Sequence, residues 1–262
     1  MQALPVIYQD DTLIAVNKPS GLLVHRSMID RHETRFALQM VRDQCGRHVY
    51  PVHRLDKPTS GVLLFTFSPE SARALSEQFA AHSVQKHYLA VVRGFPPEAG
   101  LIDHPLREEP DKIADRKAQA DKPAKEAQTR YRTLAHCELP VSIEGYPQSR
   151  YALVECLPLS GRKHQIRRHL KHINHPIIGD AKHGRGRHNR YFRDHLDAPR
   201  LLLHAARLCL QHPLTGAPLQ LDAPLDATMQ RLLDRFGWLP TLPEAWLGNH
   251  TTHPTGDQHA PG

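Results

Sequence analysis

The sequence predicts an α+β domain built on a largely antiparallel sheet. Short apolar runs bounded by turn residues, amphipathic helical stretches between them, and the lack of regular strand–helix–strand alternation all point that way. The chain has 262 residues, 40% hydrophobic and 23% charged. That supplies a sizeable core and argues against wholesale disorder. The pattern divides the chain into one folded domain over 1–240 and a tail over 241–262, without order from about 248.

Thr12–Val16 is apolar and partly β-branched, a strand. Lys18-Pro19-Ser20-Gly21 is a turn, and Leu22–Val24 resumes the strand pattern. Thr34–Cys45 carries apolar residues at 37, 38 and 41, a helical spacing stopped by Gly46. Val62–Phe67 is a compact strand. Ser68-Pro69-Glu70 then opens a helix with an N-cap, a first-position proline and an acid on the positive end of the dipole. Its inner face is Ala72, Leu75 and Phe79. Lys86–Arg93 is a strand ended by Gly94 and the Pro96-Pro97 pair. Residues 107–128, charged and poor in apolar side chains, are expected to form a surface loop. Thr129–Cys137 and Tyr151–Leu157 are strands, and Arg162–Ile173 is a helix docked by Ile166, Leu170 and Ile173. Leu201–Leu210 and Thr228–Phe236 add a strand region and a late helix. The closing GNHTTHPTGDQHAPG has no apolar periodicity.

Composition excludes several classes. No apolar run approaches the roughly 18–20 residues that cross a bilayer. MQALPVIYQDD lacks the basic and apolar regions of a secretion signal. Cys45, Cys137, Cys156 and Cys209 are scattered without a CxxC pair, which suits a reducing cytoplasm. The net charge is +7. Residues 160–207 hold twelve Lys/Arg against three acids, a block of +9, so the remainder is −2. Arginine outnumbers lysine nine to three there, and its planar fork suits phosphate. A field so concentrated fits a polyanion partner, the alternative being a solvated cationic face.

Two stretches could carry chemistry. His53-Arg54-Leu55-Asp56-Lys57-Pro58-Thr59-Ser60-Gly61 lies between probable strands and ends in turn residues. In extended chain, Arg54 and Asp56 share one side and Leu55 takes the other, giving a cleft wall or a local ion pair. Along Ser160–His169, helical spacing puts Lys163, Arg167 and Lys171 on one stripe and His164, Arg168 and His172 on the next. With the apolar stripe docked, both basic stripes face a ligand or solvent.

HRLDKPTSG resembles the HRLDxxTSG signature of the RluA-type pseudouridine synthases, and GRKHQIRRH is similar to their GR(T/S)HQ(I/L)RxH motif. The resemblance extends to YQDDTLIAVNKPSGLLVH, QKHYLAVVRG, NHPIIGDAKHG and RLLLHA, so it covers about residues 6–225. It implies the catalytic fold of that family: a mixed, mostly antiparallel sheet with flanking helices and a central RNA-binding cleft. The sequence begins directly at that domain, so the S4 domain that several ribosomal-RNA relatives carry is not expected. The resemblance also implies a cofactor-free isomerisation, in which the uracil N1–C1′ bond breaks, the base turns, and C5 joins C1′. Asp56 matches the essential aspartate, as nucleophile or as base on the sugar. Tyr88 matches the tyrosine that packs on the base, with removal of the C5 proton as a further role the resemblance implies. Arg167 with Ile166 matches the basic–apolar pair beside the aspartate, and Arg54 the residue that replaces the flipped nucleotide. Flipping costs a few kcal/mol, part of which an inserted arginine recovers by stacking and phosphate contact. Arg162, Lys163 and Arg168 complete the expected RNA-binding set.

Within the family the sequence is most similar to the subgroup that converts uridine 65 of certain tRNAs. The features are VHRSMIDRHE, KHGRGRHNRYF, and Lys163 where most relatives carry Thr or Ser. A cytoplasmic, monomeric tRNA enzyme without metal or membrane is therefore expected. Alternatives are a ribosomal-RNA or dual-specificity relative, and a non-catalytic RNA-binding module, against which the intact Asp56, Tyr88 and Arg167 argue. His169, His172 and His175 make a poor metal tripod, since i, i+3, i+6 spreads over about 120° of a helix. A glycosidase would need a second carboxylate in these motifs.

Overall fold

The computed structural model describes residues 3–26, 32–108 and 123–248. β1 (Val6–Gln9) and β2 (Leu13–Lys18) form a hairpin around Asp10, whose carboxylate accepts the N–H groups of Thr12 and Leu13. α1 (Ala37–Cys45), β3 (Tyr50–Pro51), β4 (Ser60–Thr66) and α2 (Pro69–Ala80) follow. Next come β5 (Gln85–Arg93), β6 (Ala99–Asp103), β7 (Gln128–Leu139) and β8 (Ser149–Pro158). α3 (Gln165–His172), α4 (Gly186–His195), β9 (Leu203–Gln211), β10 (Pro218–Asp222) and α5 (Ala227–Arg235) complete the chain order. The sheet runs β1-β2-β4-β9-β5-β8-β7-β6, with β3 on β4 and β10 on β9. Every pairing is antiparallel except β4–β9. This is the α+β, mostly antiparallel architecture expected. No helix among the described residues is long and apolar enough to cross a membrane.

The two-residue period of the strands sorts the core onto both faces of the sheet. In β2 and β4, Ile14, Val16, Leu63 and Phe65 meet α1, while Leu13, Ala15, Val62 and Leu64 meet Leu75 of α2. In β5 and β8, Ala90, Val92, Ala152 and Val154 meet Ile166 and Leu170 of α3. Their alternates Leu89, Val91, Tyr151 and Leu153 meet Phe192 of α4 and Met229, Leu232 and Leu233 of α5. Tyr88 borders both the α1 and the α3 cluster, so those two clusters share a face with a seam between them.

Several elements depart from expectation. Leu22–Val24 is no sheet strand: Leu23 bridges Phe36, and the carbonyls of Leu23 and Val24 accept the Ala37 and Leu38 amides at 2.8 and 2.9 Å. Those carbonyls satisfy the orphan donors of α1, which therefore starts at Ala37 rather than Thr34. The 162–173 helix begins only at Gln165. Its side chain turns back to accept from the Arg162 amide and the Ser160 hydroxyl, and His164 takes a left-handed backbone (φ 55°). Lys163 and His164 are thus off the helix, and the predicted stripes break there. Short β1, β6 and β10, and the cation-rich α4, carried too little apolar periodicity to be anticipated. Packing also continues past 240. Trp246 is buried, donates from its indole to Asp222, and its carbonyl accepts the Leu225 amide. Of the expected 107–128 loop, residues 109–122 lie outside the described residues, as do 249–262 and part of VHRSMIDRHE, residues 27–31. At the loop's described ends, Leu106 and Lys125 pair backbone to backbone, and Gln128 already belongs to β7.

Candidate active site

A cleft of about 620 Å³ opens along the seam. The β3–β4 loop forms one wall, Tyr88 of β5 and Leu203 of β9 the floor, and the start of α3 the other wall. Arg54, Asp56, Tyr88, Arg162, Ile166 and Arg167 all line it. Lys163 and Arg168 do not; Arg168 instead donates to the Arg107 carbonyl at 2.9 Å.

The loop that carries Asp56 is fixed from below. Leu55 points into the α1 core, so Arg54 is exposed and Asp56 half-buried on the cleft side, the alternation expected of extended chain. His53 accepts the Leu64 amide at 3.0 Å and stacks on Phe79. Burial lowers its pKa to about 4, with Lys86 adding to the effect, and that keeps Nε2 an acceptor. Lys18, fully buried at the end of β2, donates to the carbonyls of Pro19, Leu22 and Lys57 at 2.9, 2.8 and 3.2 Å. The Gly21 amide and Ser20 hydroxyl also reach the Lys57 and Pro58 carbonyls. The turn at 18–21 thus acts as a clamp on residues 57–58. Burial drags the Lys18 pKa down to about 7, against the pull of Asp56. Gly61 sits where β4 meets β9 (φ 114°), and a Cβ there would lie 2.1 Å from the Ala205 carbonyl oxygen. Only glycine permits that approach.

Arg167 is the hinge of the site. Its side chain is only 7% exposed, contrary to the expected stripe facing ligand or solvent. The reason is Asp180: Nε and Nη2 of Arg167 donate to its two oxygens at 2.7 and 2.9 Å, and Nη1 donates to Asp56 Oδ2 at 3.0 Å. Burial alone would push the Asp180 carboxyl up. The Arg167 fork and the His183 and Lys182 amides outweigh it and hold the group below the ordinary carboxylate range. Gly179 positions that loop (φ 79°), where a Cβ would strike the Arg200 carbonyl, and Asn189 of α4 ties it down through both ends of its amide. Opposite, burial and then the Asp56 charge raise the Tyr88 pKa, so its hydroxyl stays protonated through neutral pH. Lys86, lining the same cleft, donates to the Ser160 carbonyl at 3.1 Å.

Sequence reasoning missed Asp180, Lys18 and Lys86, and had His164 only as one member of a helical stripe. Asp180 offered one signal, being a rare acid inside the cationic block. That block also carries less free charge than its count suggests. Besides Arg167, Arg200 pairs with Asp226, Arg207 with Asp222 and Arg193 with Asp194. Exposed cations cluster around α4, at Lys182, Arg185, Arg187, Arg190 and Arg193.

Comparison with known proteins agrees with the geometry. The family described as RNA pseudouridylate synthase matches residues 12–172, a span that includes Asp56, Tyr88 and Arg167. A tRNA pseudouridine synthase C of Pectobacterium carotovorum subsp. carotovorum is 56% identical over 92% of this chain, which spans 64% of that relative's length. One from Vibrio cholerae serotype O1 is 53% identical over 91% of the chain and 98% of the relative. Among solved structures, human RNA pseudouridylate synthase domain containing 4 superposes with a TM-score of 0.66 at 27% identity, covering 89% of this chain and 93% of that one. An ion-paired aspartate facing a tyrosine across a basic-rimmed cleft, in a chain that this family matches over more than half its length, leads to one conclusion: the chain belongs to the RNA pseudouridylate synthase family, whose members are isomerases.

Proposed function

We propose that the protein isomerises uridine to pseudouridine in tRNA, at position 65 in the T stem, with Asp56, Tyr88 and Arg167 carrying the chemistry. The observation that carries this reading is the Arg167–Asp56 contact at 3.0 Å inside a cleft that Tyr88 also lines. The reaction rearranges bonds within one nucleotide, so it consumes no second substrate. Asp56 acts on the sugar, as nucleophile at C1′ or as base. Arg167 pairs with that carboxylate and aims it. Ile166 and the Tyr88 ring sandwich the base while it turns. Arg54, exposed at the rim, enters the stem behind the flipped nucleotide, with Arg162 on the flanking phosphate. Lys163 and Arg168, away from the cleft, serve only as outlying phosphate contacts.

The tRNA assignment is supported by relatives named tRNA pseudouridine synthase C at more than half identity over nearly the whole chain. Position 65 rests on the subgroup features of the sequence. Cations contribute affinity without sequence information, so recognition must come from RNA shape. Purified protein incubated with separate tRNA and large ribosomal RNA transcripts should leave pseudouridine at position 65 of tRNA. Binding should weaken steeply with salt, as expected when several counterions are released. Pseudouridine in ribosomal RNA alone would overturn the substrate assignment and leave the reaction intact.

Tyr88 has two separable contributions. A phenolate base is disfavoured by its raised pKa, which leaves stacking and hydrogen-bond donation. Tyr88→Phe should therefore bind RNA normally, and single-turnover kinetics would separate the two. Full turnover would make stacking sufficient, and a stall after binding would assign the hydroxyl a chemical task.

A further inference from the structure

His164 occupies an uncomfortable place. Its left-handed backbone (φ 55°, ψ 26°) strains a residue that carries a Cβ, and no side-chain cap for α3 is gained in return. Strain of this kind persists where surrounding structure enforces it, often at functional sites. The ring lines the cleft, with Nε2 3.8 Å from Asp56 Oδ2, the same oxygen that Arg167 holds. On the other side, Nδ1 lies 3.2 Å from Nε2 of His183, whose amide is bound to Asp180. Burial lowers the His164 pKa to about 4, opposed by Asp56 and assisted by Arg167, His183 and Lys182, so the ring is neutral at physiological pH.

A neutral ring has one N–H, and its position is decided by the neighbours. If Nδ1 carried the proton, Nε2 would turn a lone pair toward a carboxylate oxygen. If instead His183 donates to Nδ1, the proton sits on Nε2 and faces Asp56. We propose that His164 is a positioning residue for Asp56: its Nε2–H, oriented by His183, joins Arg167 on Oδ2 when RNA closes the site and leaves Oδ1 as the oxygen that meets the sugar. The contact is longer than a hydrogen bond in the free protein, and catalytic hydrogen bonds commonly tighten only with substrate bound. Two donors on one oxygen fix the carboxylate plane, where one donor leaves it free to swing. The inference rests on the role proposed for Asp56.

The strain supplies an unusually clean test, because glycine suits a left-handed backbone better than histidine does. His164→Gly should keep or raise the melting temperature and leave KM for the tRNA transcript unchanged. Its kcat should fall roughly ten- to a hundredfold, the scale of one lost charge-assisted hydrogen bond. Added imidazole should recover part of that loss. His183→Leu, which frees the tautomer, should also lower kcat, and His183→Gln, whose amide still donates, should recover part of it. Wild-type kcat in the Gly or the Leu variant, or no recovery with imidazole, would overturn the inference. Asp56→Asn run alongside separates the layers. A dead Asn variant beside a fully active Gly variant removes only His164 from the mechanism, whereas an active Asn variant removes the proposed role of Asp56 and this inference with it.

Discussion

Asp56→Asn is expected to abolish pseudouridine formation while RNA affinity stays close to that of the unchanged protein. The amide keeps the shape of the side chain and can still accept from Arg167, so the loop and the cleft should survive. What disappears is the anion, the only carboxylate that lines the cleft among the described residues. Affinity depends on phosphate contacts spread over the rim and the basic surface, far more than on one half-buried acid. The check is a paired measurement, binding by titration and product by pseudouridine mapping on the same preparation. Substantial turnover by the Asn variant would remove Asp56 from the chemistry, whatever its position.

Arg167→Met should be the next most damaging change, and it should act on stability as well as turnover. One guanidinium serves two carboxylates, with Asp180 almost wholly enclosed. Removing the cation leaves a buried negative charge with only backbone donors, a loss of about 3–5 kcal/mol for broken buried pairs. Asp56 simultaneously loses the partner that orients it. Turnover should therefore drop even at temperatures where the variant remains folded, and heat should unfold it sooner, with the stability deficit largest at neutral pH and shrinking as acid protonates Asp180. Arg168→Met is the natural control, since that side chain lies outside the cleft and donates to the Arg107 carbonyl. Comparable, small effects from both would reduce α3 to a general phosphate grip. A double variant with Asp180→Asn separates the two roles: it removes the stranded buried charge and so should restore stability without restoring turnover.

What the sequence made legible followed from the range of each interaction. Strands such as Val62–Phe67 and Lys86–Arg93 were readable because each is a short local apolar run bounded by turn residues, with a stretch buried on both faces. The helix after Ser68 was readable because its cap is a neighbour: Ser68 accepts the Ser71 amide as the pattern demanded. By contrast, the true start of α3 depends on Gln165 folding back onto Ser160 and on the left-handed turn at His164, neither of which hydrophobic spacing encodes. The burial of Arg167 depends on Asp180, and helical periodicity treated that arginine as one more surface cation. Lys18 likewise looked like an ordinary turn residue, although its ammonium holds together two loops that are 39 positions apart. The motifs identified the chemistry, and the missing portion was the support behind it.

The single parallel pairing in the sheet has a kinetic consequence. Ser60 and His204 are 144 positions apart and meet through a buried hydroxyl–imidazole contact at 2.9 Å, and Asp56 and Arg167 meet across 111. Hairpins such as β7–β8 can zip locally, but β4 can find β9 only after most of the chain has been placed. Closure of so long a loop is a late and slow event. A refolding population should thus acquire strand signal well before it acquires an assembled Asp56–Arg167–Asp180 triplet. A population trapped before that pairing should therefore show strand signal without pseudouridine formation. Until the last long-range pairing forms, the nascent enzyme is an RNA-attracting surface without a reaction.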